Sequence, residues 1–292
     1  TDYPSDTNIE SIVLQGVKEV EPYTFKGCTG LKRAEIIGSE LLNDYAFDGC
    51  ENLENAVLGT KLQDTGKRPF RDCGKLTQVG CLEGSRFSYK DGIIYRTTEN
   101  GLELVECLEN RGQRDGGTGT IAVGPEELAG VATIKPEAFE DCERIRSVDL
   151  SNTTVNTIPE GCFRNTNLNT IIFPKSLNVI ENEAFKGCKA DPTVVYFNSN
   201  PFRIEEDAFS PATDEEIIFQ CAPGSNPDDY AQKHGFQSEE YVNANFEVSF
   251  WNLPNYPSKE GRERIGGVQL VKRGEAAIEP DTSELKCNNE AF

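Results

Sequence analysis

One five-residue phrase recurs along this chain. It reads "TFKGC" at Thr24–Cys28, "AFDGC" at Ala46–Cys50, "PFRDC" at Pro69–Cys73, "AFEDC" at Ala138–Cys142 and "AFKGC" at Ala184–Cys188. Two looser copies, "CFRNT" at Cys162–Thr166 and "AFSPA" at Ala208–Ala212, keep the phenylalanine and lose the cysteine. Phe25, Phe47, Phe70, Phe139, Phe163, Phe185 and Phe209 are spaced by 22, 23, 69, 24, 22 and 24 residues, and the long gap is three times 23. A period of this length makes each repeat one structural unit. Such a unit cannot bury its apolar side alone, so neighbours must stack.

Other positions keep phase with the phenylalanine. Val20, Leu42, Ile134, Ile158, Ile180 and Ile204 stand five before it, and Leu31, Leu53, Leu76 and Ile145 six after. Nine and eleven after come Ala34/Ile36, Ala56/Leu58, Val79/Cys81, Val148/Leu150 and Val194/Tyr196, the alternation of a strand with one buried face. Each coil therefore reads as a short strand, a turn, an apolar ledge and a short helical turn carrying the Phe. The expected fold class is a repeat solenoid of leucine-rich type, with a parallel β-sheet and short helical turns. Its stacked Phe row contributes about 1.5–3 kcal/mol per residue by burial. The cysteines form a second row as small buried hydrophobes, and free thiols are expected of Cys28, Cys50, Cys73, Cys142 and Cys188. Both 22-residue intervals are one short of 23. The Ser39–Glu40 step lacks the ledge residue supplied elsewhere by Val131, Val155 and Leu177, and the Asn165–Thr166 step lacks the row cysteine.

The 292 residues carry 37% hydrophobic residues and a net charge of −20. That is apolar enough for a packed core, and the charge repels nucleic acid and anionic membrane alike. Neither is expected as a partner, and without an apolar run of spanning length no direct membrane insertion is expected. One histidine, His234, leaves His-based metal sites and Ser-His or Cys-His catalysis hard to build. No catalytic residue, metal or cofactor is expected. "GGTGTIAVG" at Gly116–Gly124 lacks the strand before and helix after that a phosphate loop needs, and reads as a plain loop.

The stretch "IRSVDLSNTTVNTIPEGCFRNTNLNTIIFPKSLNVIENEAFKGC" (Ile145–Cys188) resembles the BspA-type leucine-rich repeat of bacterial and protist surface proteins. The shared features are the strand ending in Pro, the ledge isoleucine and the Ala-Phe-x-x-Cys turn, and the likeness covers about residues 9–236. "FSYKDGIIYRTTENGLELVECL" (Phe87–Leu108) looks like the family's hairpin element, with a tight turn at Asn100–Gly101. "CAPGSNPDDYAQKHGF" (Cys221–Phe236) resembles its closing segment, where a short helix bearing His234 covers the last coil. The ending "IGGVQLVKRGEAAIEPDTSELKCNNEAF" (Ile265–Phe292) resembles the internalin-type B-repeat, a small β-grasp-like module, through Val271, Gly274, Ala277, Pro280 and Phe292. That family's pattern continues with Gly-Trp after the Phe. The resemblances imply a solenoid over 1–240, with a hairpin element near 85–123 and a cap near 221–236, then a small β-rich module over 241–292 that is an incomplete B-repeat-like copy.

They also imply a place outside the cell, at its surface or secreted, and a non-enzymatic binding role. A rigid solenoid face suits protein or glycan recognition better than chemistry. The ligand-face candidates are the outward strand positions Glu35, Val57, Asp149, Ile172, Val195 and Ile218, with Phe197 nearby. Ile172, Val195 and Ile218 make an apolar row that either marks a contact site or is covered by the flanking module or a neighbouring copy. The competing function is a structural spacer that displays other domains.

Overall fold

The computed structural model describes residues 8–111, 120–189, 192–210 and 217–241. It also gives the backbone of two further strands, Phe246–Ser249 and Gln269–Lys272, which pair antiparallel. The coils stack as a parallel-strand solenoid. Its first long sheet holds, in order, Ser11–Val13, Arg33–Ile36, Asn55–Leu58 and Gln78–Cys81. Its second holds Ile121–Val123, Ile145–Asp149, Thr170–Ile172, Thr193–Tyr196, Ile217–Cys221 and Gln237–Glu240. Opposite them run ladders of two-residue strands, Glu19–Val20, Leu41–Leu42 and Asp64–Thr65 beneath the first, and Thr157–Ile158, Val179–Ile180 and Arg203–Ile204 beneath the second.

The phenylalanines stack as the period requires. Ring centroids lie 5.0 Å apart for Phe25–Phe47, 5.5 Å for Phe47–Phe70, 5.0 Å for Phe139–Phe163, 5.1 Å for Phe163–Phe185 and 4.5 Å for Phe185–Phe209. The turn that carries each Phe is not helical. At six of the seven it is a run of tight turns with left-handed residues two before and two after the ring. The later position is Gly27, Gly49, Asp72, Asp141, Asn165 or Gly187, all residue types that tolerate positive φ. The earlier one is Tyr23, Tyr45, Arg68, Glu137, Gly161 or Glu183, where five of the six side chains hold φ of 33–62° against their intrinsic preference. Hydrogen bonds between coils offset that strain. The N–H groups of Phe25, Phe47, Phe163 and Phe185 donate to Ala46, Pro69, Ala184 and Ala208 at 2.7–2.9 Å.

The same turns explain the cysteine. The thiols of Cys50, Cys73 and Cys188 donate to the carbonyls of Phe25, Phe47 and Phe163 in the preceding coils, at 3.1, 3.2 and 3.5 Å. A small apolar residue with a weak donor fits there, and all nine described cysteines are free, as the packing argument expects. At the two short intervals the usual residue types are replaced. Ser39 takes the ledge position and Thr166 the cysteine position, its hydroxyl donating to the Phe163 carbonyl at 2.8 Å.

Among its described residues the 69-residue gap does not show three coils. Its length goes into the hairpin of Ile93–Thr98 and Gly101–Cys107, whose loop centres on Glu99 and Asn100, one residue earlier than the Asn-Gly pair suggested. Among the described residues of the gap Cys107 takes a ladder position. Its N–H donates to Ala138 at 2.7 Å, and its carbonyl accepts the Cys142 thiol at 3.3 Å. The apolar core divides at this place into two clusters. Ile94 and Val105 pack into the first, and Ile93, Tyr95 and Leu104 into the second. At the far end the helix Asn226–His234 covers the last coil, with Pro227 in its first turn and left-handed Gly235 ending it. Tyr230 and His234 stack against each other at 4.1 Å within this cap.

Candidate binding face

The outer face of each long sheet follows from register. In the first sheet Ala34, Ala56 and Val79 are buried in the core, so Glu35, Val57 and Gly80 form one outward row and Arg33, Asn55 and Gln78 another. Both rows meet solvent. Glu35 and Val57 are half-buried, and Arg33 pairs with Glu35 at 2.9 Å. Val13, which extends the Glu35 row to the first strand, is 55% exposed. Glu35 and Val57 thus sit where the period places them. Arg33, Asn55 and Gln78 were missed, although they occur eight residues after each Phe and one more step of the strand alternation reaches them.

The second sheet has the same architecture and a different surface. Val148, Ile171, Val195 and Phe219 are aligned neighbours and all lie in the core. Asp149, Ile172, Tyr196 and Gln220 therefore form one outward row, and Thr170, Val194 and Ile218 the other. Asp149, Ile172 and Ile218 face outward as expected. Val195 does not. Its strand lies ten rather than nine residues past Phe185 in the inward phase, because the segment after Cys188 is one residue longer, and a one-residue slip exchanges the faces. Phe197 is also a core residue, packed between Phe173 at 5.1 Å and Phe219 at 5.2 Å. Neither can touch a ligand without unpacking the solenoid.

The central outward residues of this sheet are nonetheless buried, while Tyr196 and Gln220 in the same row are half-buried. Ile172 is 3%, Val194 1% and Ile218 5% exposed, although none belongs to either core cluster. Among the described residues, Tyr241 comes back over this face. Its ring meets Tyr196 edge-on at 5.4 Å, and burial together with the Asp149 carboxylate pushes its phenol up to about 12.

The turn edge carries a charge ladder that the spacing alone did not reveal. One residue past the first five Phe of the series stand Lys26, Asp48, Arg71, Glu140 and Arg164, and past the last two Lys186 and Ser210. Asp48 joins Lys26 at 3.1 Å and Arg71 at 2.7 Å, and Glu140 joins Arg164 at 2.8 Å. Burial opposes the charge on Asp48, but the hydrogen bonds from Arg71 and Lys26 outweigh it and hold the carboxyl below its ordinary value. At the junction of the two cores Arg68, 1% exposed, reaches Glu140 at 2.7 Å, Asp141 at 3.0 Å and Glu109. Burial pushes the nearby Glu106 up to about 8 and Glu109 to about 7, even with Arg68 pulling the other way. Tyr23 and Tyr45 stack at 5.2 Å on this edge, and the Tyr45 hydroxyl donates to Glu137. A shallow depression of about 330 Å³ lies beside it, lined by Gly74, Glu109, Asn110, Asp141, Glu143 and Arg144. Two of its carboxylates are already engaged by Arg68. No cluster of metal-ligating side chains occurs among the described residues, and no helix among them is long and apolar enough to cross a membrane.

The BspA type leucine rich repeat region matches residues 3–96 and 127–222, in six copies. The chain belongs to the BspA-type leucine-rich repeat family. The unmatched stretch between the two blocks contains the return strand of the hairpin, where the period is broken. Solved structures with this fold include a leucine-rich cell surface protein from Faecalibacterium prausnitzii. It has a TM-score of 0.50 at 19% identity, with 80% of this chain and 64% of that one covered. The chain thus spans less than two thirds of that protein. A leucine-rich repeat protein from Eubacterium ventriosum has a TM-score of 0.48 at 11% identity, covering 74% and 68%. The pneumococcal vaccine antigen PcpA has a TM-score of 0.45 at 14% identity, covering 80% and 68%. No curated protein matches the chain. The likeness of the ending to an internalin-type B-repeat falls on 265–292, which lies outside the described residues except for the strand Gln269–Lys272.

Proposed function

We propose that this chain is a non-enzymatic, adhesin-like binding module, displayed at the cell surface or secreted, that recognises a protein or glycan through the outer face of its first long sheet. One observation carries the reading. Arg33, Asn55 and Gln78, with Glu35 and Val57 beside them, form an open face of mixed polar and apolar character on a rigid parallel sheet. Four strands about 4.8 Å apart, each of about four residues at 3.3 Å, give a platform of roughly 250 Å². A standard protein interface needs about 800 Å² on each side. The platform therefore suits a short run of sugar rings or a peptide segment better than a folded domain. The residues after Tyr241 form, in this reading, the B-repeat-like module that the sequence suggests, joined to a binding solenoid over 1–240.

The spacer reading rests on a different observation. The alternating ladder of Lys26, Asp48 and Arg71 ties successive coils together along the turn edge and suits a stiff rod. A glycan and matrix-protein binding screen on the whole chain separates the two. A ligand whose affinity falls at least about tenfold, the equivalent of 1.4 kcal/mol, in Val57→Glu supports the binding module. A folded chain that binds nothing on either panel favours the spacer.

A further inference from the structure

The two long sheets supply an internal control. They share strand direction, spacing and register, so outward side chains at matching positions should be equally accessible unless something lies over one of them. In the first sheet the central outward residues Asn55 and Val57 are half-exposed. In the second their counterparts Thr170, Ile172, Val194 and Ile218 are buried. The latter point away from the core, so the core does not bury them. Tyr241 accounts for part of the cover. Its ring meets Tyr196 of the outward row edge-on at 5.4 Å, one strand from Ile172.

We propose that the segment following Tyr241, residues 242–292, docks on the outer face of the second long sheet. Three features of the chain fit this occupant. It is covalently continuous with the one residue already placed on the face. Phe246 is five residues past Tyr241, within about 17 Å of extended chain, so the centre of the face is in reach. The sequence "NFEVSFW" at Asn245–Trp251 puts apolar residues at alternate positions, Phe246, Val248 and Phe250. That is the pattern of a strand with one apolar face, and it complements the apolar stripe of Ile172, Val194 and Ile218. The module has two faces of opposite status, one open to ligand and one occupied by its own ending. This inference is independent of what the open face binds.

Photo-crosslinking of the whole chain tests it. A p-benzoylphenylalanine at Gln220, on the half-exposed rim of the covered face, should yield an intrachain crosslink to a peptide within 242–292. The same probe at Val57 on the open face should yield none to that segment. A link from position 220 to a second chain, to solenoid residues alone, or to nothing overturns the proposal. Limited trypsinolysis of this whole chain carrying Val194→Glu gives an independent reading. A charge under the docked segment should release it and raise cleavage after Lys259, Arg262 and Arg264 at least about tenfold, the rate factor of 1.4 kcal/mol. An unchanged cleavage rate in a variant whose circular dichroism matches the parent also overturns it.

Discussion

Phe185→Ala tests whether the aromatic ladder holds the solenoid together. The ring is 1% exposed, stacked on Phe163 at 5.1 Å and on Phe209 at 4.5 Å, and it meets Phe173 edge-on at 5.9 Å. Truncation of a buried Phe to Ala costs about 3–5 kcal/mol through lost transfer energy and the cavity left behind. Each aromatic pair is worth about 0.5–1.5 kcal/mol beyond its buried area, and this residue loses three, which puts the expected cost near the top of the range. Phe25 provides the contrast. It is half-buried at the end of the ladder and stacks on Phe47 alone, so Phe25→Ala should cost about 1–2 kcal/mol. Chemical denaturation followed by far-UV circular dichroism measures both, with unchanged m-values needed for the comparison. Equal costs at the two positions, or a loss below about 1 kcal/mol at Phe185, would refute the ladder as a source of stability.

Glu106 and Glu109 have carboxyl groups raised to about 8 and about 7 by burial, so the folded chain holds protons that the unfolded chain, with Glu near 4.3, gives up. Their contribution is intact below about pH 4.3 and is lost as pH rises through 7 to 8, whereas Asp48 and Glu183, held low by Arg71 and Lys186, stabilise only above their unfolded values. The melting temperature should therefore peak in mildly acidic buffer and fall towards pH 9, and Glu106→Gln should flatten the fall; a melting temperature that climbs from pH 5 to 8 contradicts this. Arg68→Ala should cost about 3–5 kcal/mol by stranding buried carboxylates, and more than Arg68→Met together with Glu140→Gln, as denaturation of the two variants will show. The eight buried described thiols should resist Ellman's reagent until the chain is denatured, with Cys81, half-buried, reacting first of the nine although burial lifts its thiol to about 11.

The solenoid was legible in the sequence because one short turn must be rebuilt in every coil. Phe fills the same hole each time, and at six of the seven repeats the residue two further on adopts positive φ and is Gly, Asn or Asp. Strand phase was legible where the turn-to-strand distance is constant, as at Glu35 and Val57. It failed at Val195, where one extra residue after Cys188 exchanged the two faces and runs such as Thr193–Tyr196 are apolar on both sides. The break in the period misled for a related reason. A hairpin and its flanks happened to fill a length divisible by 23, and backbone hydrogen bonds rather than spacing identify Cys107 as the ladder residue. The ionic junction at Arg68 was hidden because its partners Glu106, Glu109, Glu140 and Asp141 come from separate coils that only stacking brings together. The cover over Ile172 and Ile218 was foreseeable only as one of several alternatives, since nothing in a strand's own residues says what will lie over it.

The proposed ligand surface is the open face of the first sheet, and paired variants measured against one ligand test that assignment. Val57→Glu alters the centre of that face, while Phe202→Ser alters an exposed residue beside the short strand Arg203–Ile204, outside both long sheets. With the best ligand from the binding screen, biolayer interferometry should show affinity reduced at least about tenfold by Val57→Glu and unchanged by Phe202→Ser. Equal affinity for parent and Val57→Glu, with Phe202→Ser the weaker binder, would contradict the account.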